Sequence, residues 1–494
     1  MSLFIAGLTA VWTPYNLLLI LIGVAVGIVF GAIPGLSASM AVALCLPMTY
    51  GMDAVSGIVL LVALYLGAIS GGLISAILIN IPGTPSSIAT CFDGHPMAEK
   101  GEAGKALGIG ILYSFIGGSL SIIALIFLSS KIANVALRFG PYEYFAIGVF
   151  SLTMVASLIS GSVIKGLISC VLGLCFASVG SAPLDGYARF TFGFSSMNAG
   201  FNLLSVLIGL FAISEVLKTA AESKYEKEEK VASYKIKGYG ISMKEFKDQL
   251  WNMIRSSLIG IGIGILPGIG GGTSNLISYS VAKNQSRHPE KFGTGIIDGV
   301  IASETCNNAT VGGALIPLLA LGIPGDGVTA FLLGGLTIHG ITPGPLLFVN
   351  NPKIVYGIFV ALIIANVIML VMERLGLPVF VKLLQIPKRI LLPIIMVLCM
   401  VGAYGVNNRI FDIGAMFAFG IIGYFLEKFH FSTAPIILGF VLGPMIEQNL
   451  RRGLMASRGS ILPLFQSPIA CAFLLIAVIS VVLASRKKPS TIKE

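Results

Sequence analysis

The sequence predicts an all-α polytopic membrane protein with two homologous halves, in which proline and glycine interrupt several helices. Three observations predict this class. The 494 residues are 55% hydrophobic and only 11% charged, with a mean hydropathy of +0.93, whereas soluble domains carry about 25% charged residues. Apolar segments long enough to span a bilayer recur along the chain. Two Pro-Gly motifs also recur in the same order about half a chain apart. A water-soluble enzyme and a nucleic-acid-binding protein are excluded.

Long apolar windows predict the membrane spans, because a transmembrane helix needs about 20 mostly apolar residues. Eleven windows meet this requirement: 15–33, 54–79, 105–129, 142–160, 163–181, 198–217, 298–321, 353–373, 390–406, 410–426 and 461–485. Four shorter apolar pieces predict half-helices, short spans or tilted spans: 36–48, 253–266, 327–341 and 434–447.

One long polar stretch, residues 218–255, divides the chain into an N-terminal half (1–217) and a C-terminal half (256–494). Nine basic residues oppose six acidic ones in this stretch, which predicts that it lies in the cytoplasm. Met243, Phe246, Leu250 and Met253 are spaced at helical intervals, so a helix along the membrane surface is one interpretation, and a solvated linker is the other. Basic residues 486–488 predict a cytoplasmic C-terminus.

The residue types that form common enzyme sites are dispersed along the sequence. The seven cysteines and four histidines show no metal-ligand spacing, and no phosphate-binding loop is present. We therefore expect no cofactor and no ATP hydrolysis, so energy must come from an ion gradient or another subunit. An enzyme acting on lipid-linked substrates would need a converging acid, base or nucleophile, which one intramembrane glutamate does not supply.

An internal repeat is the most informative feature of the sequence. Residues 31–39 read GAIPGLSAS and residues 264–272 read GILPGIGGG, an offset of 233. Residues 71–83 read GGLISAILINIPG and residues 312–325 read GGALIPLLALGIPG, an offset of 241 to 242. We refer to Pro34-Gly35, Pro82-Gly83, Pro267-Gly268 and Pro324-Gly325 as the first to fourth breaks. Repeated halves with corresponding broken helices are typical of secondary transporters.

Each break is predicted to expose backbone groups that suit ions. A broken helix leaves unpaired N–H groups at the new N-terminus, which attract anions, and unpaired carbonyls, which suit Na⁺. Close packing of glycines and simple proline kinks are the alternative. Hydroxyl and amide residues cluster beside the breaks, and the predicted substrate- or ion-binding residues are Pro34, Gly35, Ser37, Ser39, Asn80, Pro82, Gly83, Thr84, Ser86, Ser87, Pro267, Gly268, Gly270, Gly271, Thr273, Ser274, Asn275, Pro324, Gly325, Asp326 and Thr329.

The segment SETCNNATVGG adds Glu304, Asn307 and Asn308 within an apolar span. Such residues are costly at membrane depth, so a functional role is the default prediction. Helical spacing places Glu304 and Asn308 on one face. The alternative is a hydrogen-bonded clamp between helices.

Long blocks of the chain resemble the large membrane subunit, TctA, of the bacterial tripartite tricarboxylate transporters. These blocks are FGAIPGLSASMAVALCLP, IPGTPSSIATCFDGHPMAEKGEAGKALG, GILPGIGGGTSN and DGVIASETCNNATVGGALIPLLALGIPG. The resemblance implies a carboxylate-uptake permease in the bacterial inner membrane. It also implies two partners, a small four-span membrane subunit and a periplasmic substrate-binding protein.

The resemblance places substrate and ion contacts around the four breaks and at Glu304 to Asn308. The chain departs from the family at Asp326, where a small or uncharged residue is usual. A carboxylate there would repel an anionic substrate unless the carboxylate binds Na⁺ or a proton. No Arg or Lys falls inside the break motifs. This favours symport with Na⁺ or H⁺, the Na⁺ bound near the breaks by ligands that the sequence does not identify.

By analogy with other transporters, we expect an inverted repeat in which one broken-helix module moves against a fixed scaffold in an elevator-like motion. An ion channel and a transporter of another small anionic solute are the alternatives. Whether the chain forms a homodimer is left open.

Overall fold

The computed structural model describes residues 2–158, 162–222, 239–383 and 388–486. Residues 223–238 of the polar linker and the basic residues Lys487 and Lys488 lie outside the described residues. The helices of the first half are α1 Ser2–Val11, α2 Pro14–Ala32, α3 Ala38–Cys45, α4 Ala54–Ile79, α5 Ile88–Met97, α6 Ala103–Ala136, α7 Pro141–Leu158, α8 Val163–Ala177, α9 Leu203–Leu207 and α10 Ser214–Glu222. A π-helical segment, Ile208–Ile213, joins α9 to α10.

The second half is also helical. Its helices are α11 Met243–Asp248, α12 Leu250–Ile265, α13 Gly270–Gln285, α14 Ile297–Leu321, α15 Gly327–Ile338, α16 Leu347–Asn350, α17 Pro352–Leu383, α18 Lys388–Asn407, α19 Ile410–Lys428, α20 Thr433–Ala456, α21 Leu462–Gln466 and α22 Pro468–Arg486. The predicted all-α class is therefore confirmed.

Eight of the described helical segments are long and apolar enough to cross a membrane. They coincide with eight of the eleven predicted windows. The other three windows also fall on helices: α7, the shorter α8 of 15 residues, and α14, which is 25 residues long but includes Asp298 and Glu304. Length alone therefore does not separate spans from buried polar helices in this chain.

The all-α chain includes one short β hairpin, which lies at the end of a predicted span. The window 163–181 ends as a helix at Ala177, and a short antiparallel hairpin follows, in which β1 Gly180–Ser181 pairs with β2 Ala188–Arg189. Gly180 and Gly186 take positive φ angles there, which glycine adopts without the steric cost of a Cβ. The next span begins at Leu203, five residues after the predicted start at 198.

Local sequence sets several helix starts. Thr13 caps α2 by accepting a hydrogen bond from the Asn16 amide, and Pro14 occupies the first turn, where its missing N–H costs nothing. Asp53 caps α4 by accepting from the amides of Val55 and Ser56. These caps satisfy backbone donors that hydrocarbon would leave unpaired.

Small residues allow α2 and α4 to pack closely and in parallel. Gly23 lies against Ala63, and Gly27 and Gly31 lie against Gly67 and Ala68, so residue numbers rise together along both helices. Helix α3, which follows the first break, lies in the connection between them.

The second half repeats this arrangement with α12 and α14. Gly260 lies against Cys306 and Gly264 lies against Thr310, so these two helices are also parallel. Two further pairs join the halves: α6 packs on α14, and α4 packs on α17. The remaining helices flank this core, with α7, α8, α20 and α22 packed together and α19 packed on the segment from α9 to α10.

The predicted surface helix is two helices that meet at Gln249. Only Phe246 and Met253 of the four apolar positions pack inward, since Phe246 contacts the Tyr113 ring and Met253 is buried, while Met243 and Leu250 are exposed. Glu245 anchors α11 to α6. Hydrogen bonds with the Ser242 amide, with the Ser242 side chain and with the Lys105 ammonium lower the pKa of Glu245 to about 2.

Candidate functional site

The four breaks have matching backbone conformations in the two halves. Gly35 and Gly268, at equivalent positions of the first and third breaks, have φ angles of 88° and 76°. Asn80 and Gly322, which end α4 and α14, have φ angles of 56° and 75°. A residue in the left-handed conformation ends an α-helix, because the helical backbone does not continue past it. The repeat in the sequence is therefore accompanied by a repeat in backbone geometry.

After α4 and after α14, the chain doubles back along the helix it has just left. Gly83 packs against Gly72 and Ser75, and Gly325 packs against Ala314. In each half the returning glycine lies beside a residue eleven positions earlier. Consequently α5 and α15 begin beside the preceding helix, well before its end.

The breaks contact one another in a closed ring. Gly83 of the second break abuts the Gly31 carbonyl oxygen at the end of α2, just before the first break. A Cβ on Gly271, beyond the third break, would lie only 2.6 Å from the Ser86 Cβ. These two contacts join the first break to the second and the second to the third.

Two more contacts close the ring. The Gly268 amide of the third break donates to the Gly325 carbonyl of the fourth at 2.8 Å. A Cβ on Gly327, beyond the fourth break, would lie 3.3 Å from the Ser39 hydroxyl. Residues predicted from separate parts of the sequence are thus brought together in one place.

Three of the four half-helices that begin at this ring have a polar side chain at their N-terminus. Ser37 caps α3, and Asp326 caps α15. Asn275 accepts a hydrogen bond from the Ala89 amide in the first turn of α5 at 2.8 Å, and Thr84 forms a capping box with Ser87 just before that helix. Their unpaired amides are therefore at least partly satisfied within the chain.

Helix α13 is different. Ile269 precedes its first residue, and no side-chain cap hydrogen bond is present there within the described residues. Its first turn is formed by Gly270, Gly271 and Gly272, which are followed by Thr273. The first amides of a helix have no intrahelical partner, and the helix dipole makes this end attract anions. Of the four half-helices, α13 therefore has the N-terminus most suited to an external anion.

A fully buried polar cluster lies beside this end of α13. Glu304 accepts hydrogen bonds from the hydroxyls of Thr90 and Ser114, the latter at 3.0 Å. Asn307 donates to the Ile69 carbonyl at 3.2 Å, while its own Oδ1 has no partner among the described atoms and faces Gly271. The described ion pairs do not include Glu304.

Further acceptor oxygens in this stretch of α14 also lack partners. Thr305 Oγ1 and Asn308 Oδ1 are buried without a hydrogen bond among the described atoms. Glu304 and Asn308 were predicted to share one helix face. The Asn308 side-chain amide donates to the Glu304 backbone carbonyl at 3.4 Å. No group of three or more His, Cys, Asp or Glu side chains suited to a metal ion occurs in the described part of the chain.

Asp326 has a structural explanation that the sequence does not suggest. Its Oδ1 accepts from the amide and hydroxyl of Thr329, and its Oδ2 accepts from the Tyr65 hydroxyl at 2.5 Å. Both carboxylate oxygens are therefore used within the protein, as the N-cap of α15 and as the partner of a buried tyrosine.

Replacing Asp326 by asparagine should therefore leave uptake largely intact, whereas alanine should destabilise the protein. Asparagine caps a helix as well as aspartate, whereas loss of the cap costs about 1 kcal/mol and a buried hydroxyl without a partner costs about 1–3 kcal/mol. Thermal unfolding in detergent and uptake rates measure the two effects. Loss of uptake in a stable Asp326→Asn variant would show that the carboxylate itself binds an ion.

The other predicted residues differ in how deeply they are buried. Pro34, Pro267 and Pro324 are buried at the turns of their breaks, Pro82 and Thr273 are half-buried, and Ser274 bonds to Thr310 at 2.8 Å. Asn80 is exposed and ends α4. Tyr65 and Ser114 were not predicted, although each is a polar residue within an apolar run, which is the one signal that could have indicated them.

Comparisons with known proteins show the family of the chain. The model of the tripartite tricarboxylate transporter TctA family matches residues 17–438. An Agrobacterium vitis protein named "uncharacterized 52.8 kDa protein in TAR-I ttuC' 3'region" is 37% identical over 478 residues, which are 97% of this chain and 95% of the relative.

A second Agrobacterium vitis relative, named "uncharacterized protein in TAR-II ttuC' 3'region", is 40% identical over 222 residues. These are 45% of this chain and 92% of that protein. No solved structure matches the chain. Because the family model spans most of the sequence and both breaks of each half, the chain belongs to the tripartite tricarboxylate transporter TctA family.

Proposed function

We propose that the chain is the large permease subunit of a binding-protein-dependent secondary transporter. It takes up tricarboxylates or related carboxylates by symport with Na⁺ or H⁺ across the bacterial inner membrane. The single observation that carries the proposal is the uncapped N-terminus of α13, which begins with three glycines at the ring of breaks. Glycine lets a ligand approach the backbone closely, and aligned amides bind carboxylates without a basic side chain.

The coupling ion follows from the charge of the site. Glu304 is fully buried, and the described ion pairs do not neutralise it. A buried carboxylate costs several kcal/mol unless a cation or a proton neutralises it. A carboxylate substrate bound nearby would raise this cost further. Symport of Na⁺ or H⁺ with the substrate supplies the missing positive charge, and the unpaired oxygens of α14 suit Na⁺ as ligands.

Two inverted halves would allow such a site to open to either side. Gly110 of α6 lies beside Ile77 of α4, whereas Ser121, farther along α6, lies level with Asn308. The neighbouring Asn307 contacts Ile69, which is earlier on α4. Helices α4 and α6 therefore run in opposite directions. Gly117 and then Ser121 of α6 contact Thr305 and then Gly312 of α14, so these two helices run in parallel. Helix α14 therefore opposes its counterpart α4, as an inverted repeat requires.

The core and the flanking helices are the two bodies of the proposed elevator-like motion. The ring of breaks belongs to the core, and it touches the flanking helices through apolar contacts such as those of Gly268 with Val155 of α7 and Leu438 of α20. Apolar, non-directional contacts of this kind permit sliding. The proposed partners are a small four-span membrane subunit and a periplasmic binding protein, which are consistent with a tripartite family name.

Uptake into proteoliposomes tests this function. The purified three-subunit complex is expected to accumulate a radiolabelled tricarboxylate or dicarboxylate with saturable kinetics, and only when a Na⁺ or proton gradient is imposed. A channel would give a flux that does not saturate. Equal uptake with and without both gradients would contradict symport.

A further inference from the structure

A second polar site lies away from the ring of breaks. A cavity of about 420 Å³ opens where α8 ends, where the β hairpin packs, and where α9 begins. Phe176, Phe201 and Phe440 form an apolar wall, while Arg189 and Glu447 supply the charge. Pockets that bind small molecules have volumes of about 300–1,000 Å³ and combine apolar walls with few polar groups. The dimensions and lining of this cavity therefore suit a small organic ligand.

Arg189 is held in the geometry with which a guanidinium binds a carboxylate. Its Nη1 and Nη2 donate to the two oxygens of Glu447 at 2.7 and 3.2 Å, which is a bidentate arrangement. The Nε of Arg189 is buried and has no hydrogen-bond partner among the described atoms. Arg189 thus keeps one donor that is unused among the described atoms, although Glu447 occupies its fork.

Glu447 has an alternative partner. Arg451 Nε lies 3.0 Å from Glu447 Oε1, and Arg451 Nη1 lies 3.0 Å from Asp185 Oδ2. Two guanidinium groups therefore share Glu447. If an incoming carboxylate replaces Glu447 on Arg189, Glu447 still pairs with Arg451. Neither Glu447 nor the incoming carboxylate is then left without a cationic partner.

One helix, α15, connects the cavity to the ring of breaks. Leu333 of α15 lines it, and Asp326, which caps α15, lies at the ring. Seven residues of α-helix span about 10 Å. The α9 to α10 segment leads from this cavity to the basic linker, so the cavity faces the side of the membrane opposite to the linker. With a cytoplasmic linker, that side is the periplasm.

We propose that this cavity is an outer receiving site for carboxylates, in which a substrate carboxylate replaces Glu447 on Arg189 before it moves to the breaks. The exchange is a swap of ion-pair partners and involves no covalent step. The inference rests on the proposed transport function. It adds to that function a second binding site and a residue pair that competes with the substrate.

The two partners of the ion pair are expected to act in opposite directions on the KM. Arg189→Gln should raise the KM of the complex in proteoliposomes at least tenfold with little change in maximal rate. Glu447→Gln should lower the KM about threefold or more, because it removes the internal competitor. Citrate, isocitrate, malate and succinate are the probes, and the one that the wild-type chain binds most tightly is used.

Control variants separate this role from a structural ion pair. Arg189→Lys keeps the charge but loses the bidentate fork, so its KM should lie between those of the wild type and Arg189→Gln. Asp185→Asn, which breaks only the exposed pair with Arg451, should leave the KM unchanged. A shift of the KM in the same direction for Arg189→Gln and Glu447→Gln would overturn the proposal, as would an unchanged KM for Arg189→Gln.

Equilibrium binding of the same radiolabelled carboxylate distinguishes this inference from the proposed function. The wild-type chain should show two classes of sites, and Arg189→Gln should lose one of them. Two classes of sites without gradient-driven uptake would contradict symport but support the receiving site. Saturable uptake with one class of sites in both proteins would support the proposed function and overturn the receiving site.

Discussion

Replacing Glu304 by glutamine is expected to lower gradient-driven carboxylate uptake about tenfold or more while the protein still folds. Both oxygens of Glu304 accept hydrogen bonds from hydroxyls, those of Thr90 and Ser114. Glutamine has nearly the same shape, but it cannot carry the charge that binds a cation or a proton. Hydrogen bonds to charged groups contribute about 1.5–3 kcal/mol, and a factor of ten corresponds to about 1.4 kcal/mol.

A second buried glutamate is the matched control for this experiment. Glu373 of α17 is also fully buried and accepts a hydrogen bond from the Ser70 hydroxyl at 2.9 Å. Its hydrogen-bond partner belongs to α4 and not to one of the four breaks. If the loss of uptake came from removing any buried acid, Glu373→Gln would reproduce it. Wild-type uptake by Glu304→Gln, with the ion dependence unchanged, would remove Glu304 from the site.

Adding a single methyl group at Gly83 is expected to destabilise the protein by about 3 kcal/mol, at the upper end of the range for overpacked cores. The new Cβ would collide with the Gly31 carbonyl oxygen and lie 2.7 Å from the Ser75 hydroxyl. Both neighbours belong to tightly packed helices, so the backbone itself would have to move. The contact between the first and second breaks would be lost.

Two other glycines make this prediction specific. Gly325→Ala should be as damaging, because Gly325 is the equivalent residue of the second half and its Cβ would lie 2.5 Å from the Ala314 Cα. Gly262→Ala should be harmless, since no described atom lies within 4 Å of a Cβ there. Melting temperatures and folded yields in detergent measure all three. A stable Gly83→Ala protein would contradict the close packing of the breaks.

The sequence predicted the breaks well because each is a local event. Proline and glycine act on the backbone where they stand, so the left-handed conformations at Gly35 and Gly268 follow from the motifs themselves. The recurrence of these motifs at nearly constant offsets then predicted two equivalent halves. Neither inference requires any knowledge of distant contacts.

The partners across the site could not be predicted in the same way. Tyr65 and Asp326 are 261 residues apart, and Ser114 and Glu304 are 190 apart. Nothing local to Tyr65 shows that its hydroxyl meets the cap of another half-helix. Asp326 therefore looked out of place in an anion site, although both its oxygens are engaged. The hairpin after α8 was missed because apolar residues continue past Ala177, where glycines with positive φ angles redirect the chain.

An experimental structure of the complete complex with a bound carboxylate tests the central claim most directly. The claim predicts the carboxylate at the ring of breaks, with its oxygens within hydrogen-bonding distance of the first-turn amides of α13, at Gly270 to Thr273. It also predicts a cation or a protonated carboxyl at Glu304. A carboxylate bound elsewhere in the core, with the glycine amides of α13 free of ligand, would contradict it.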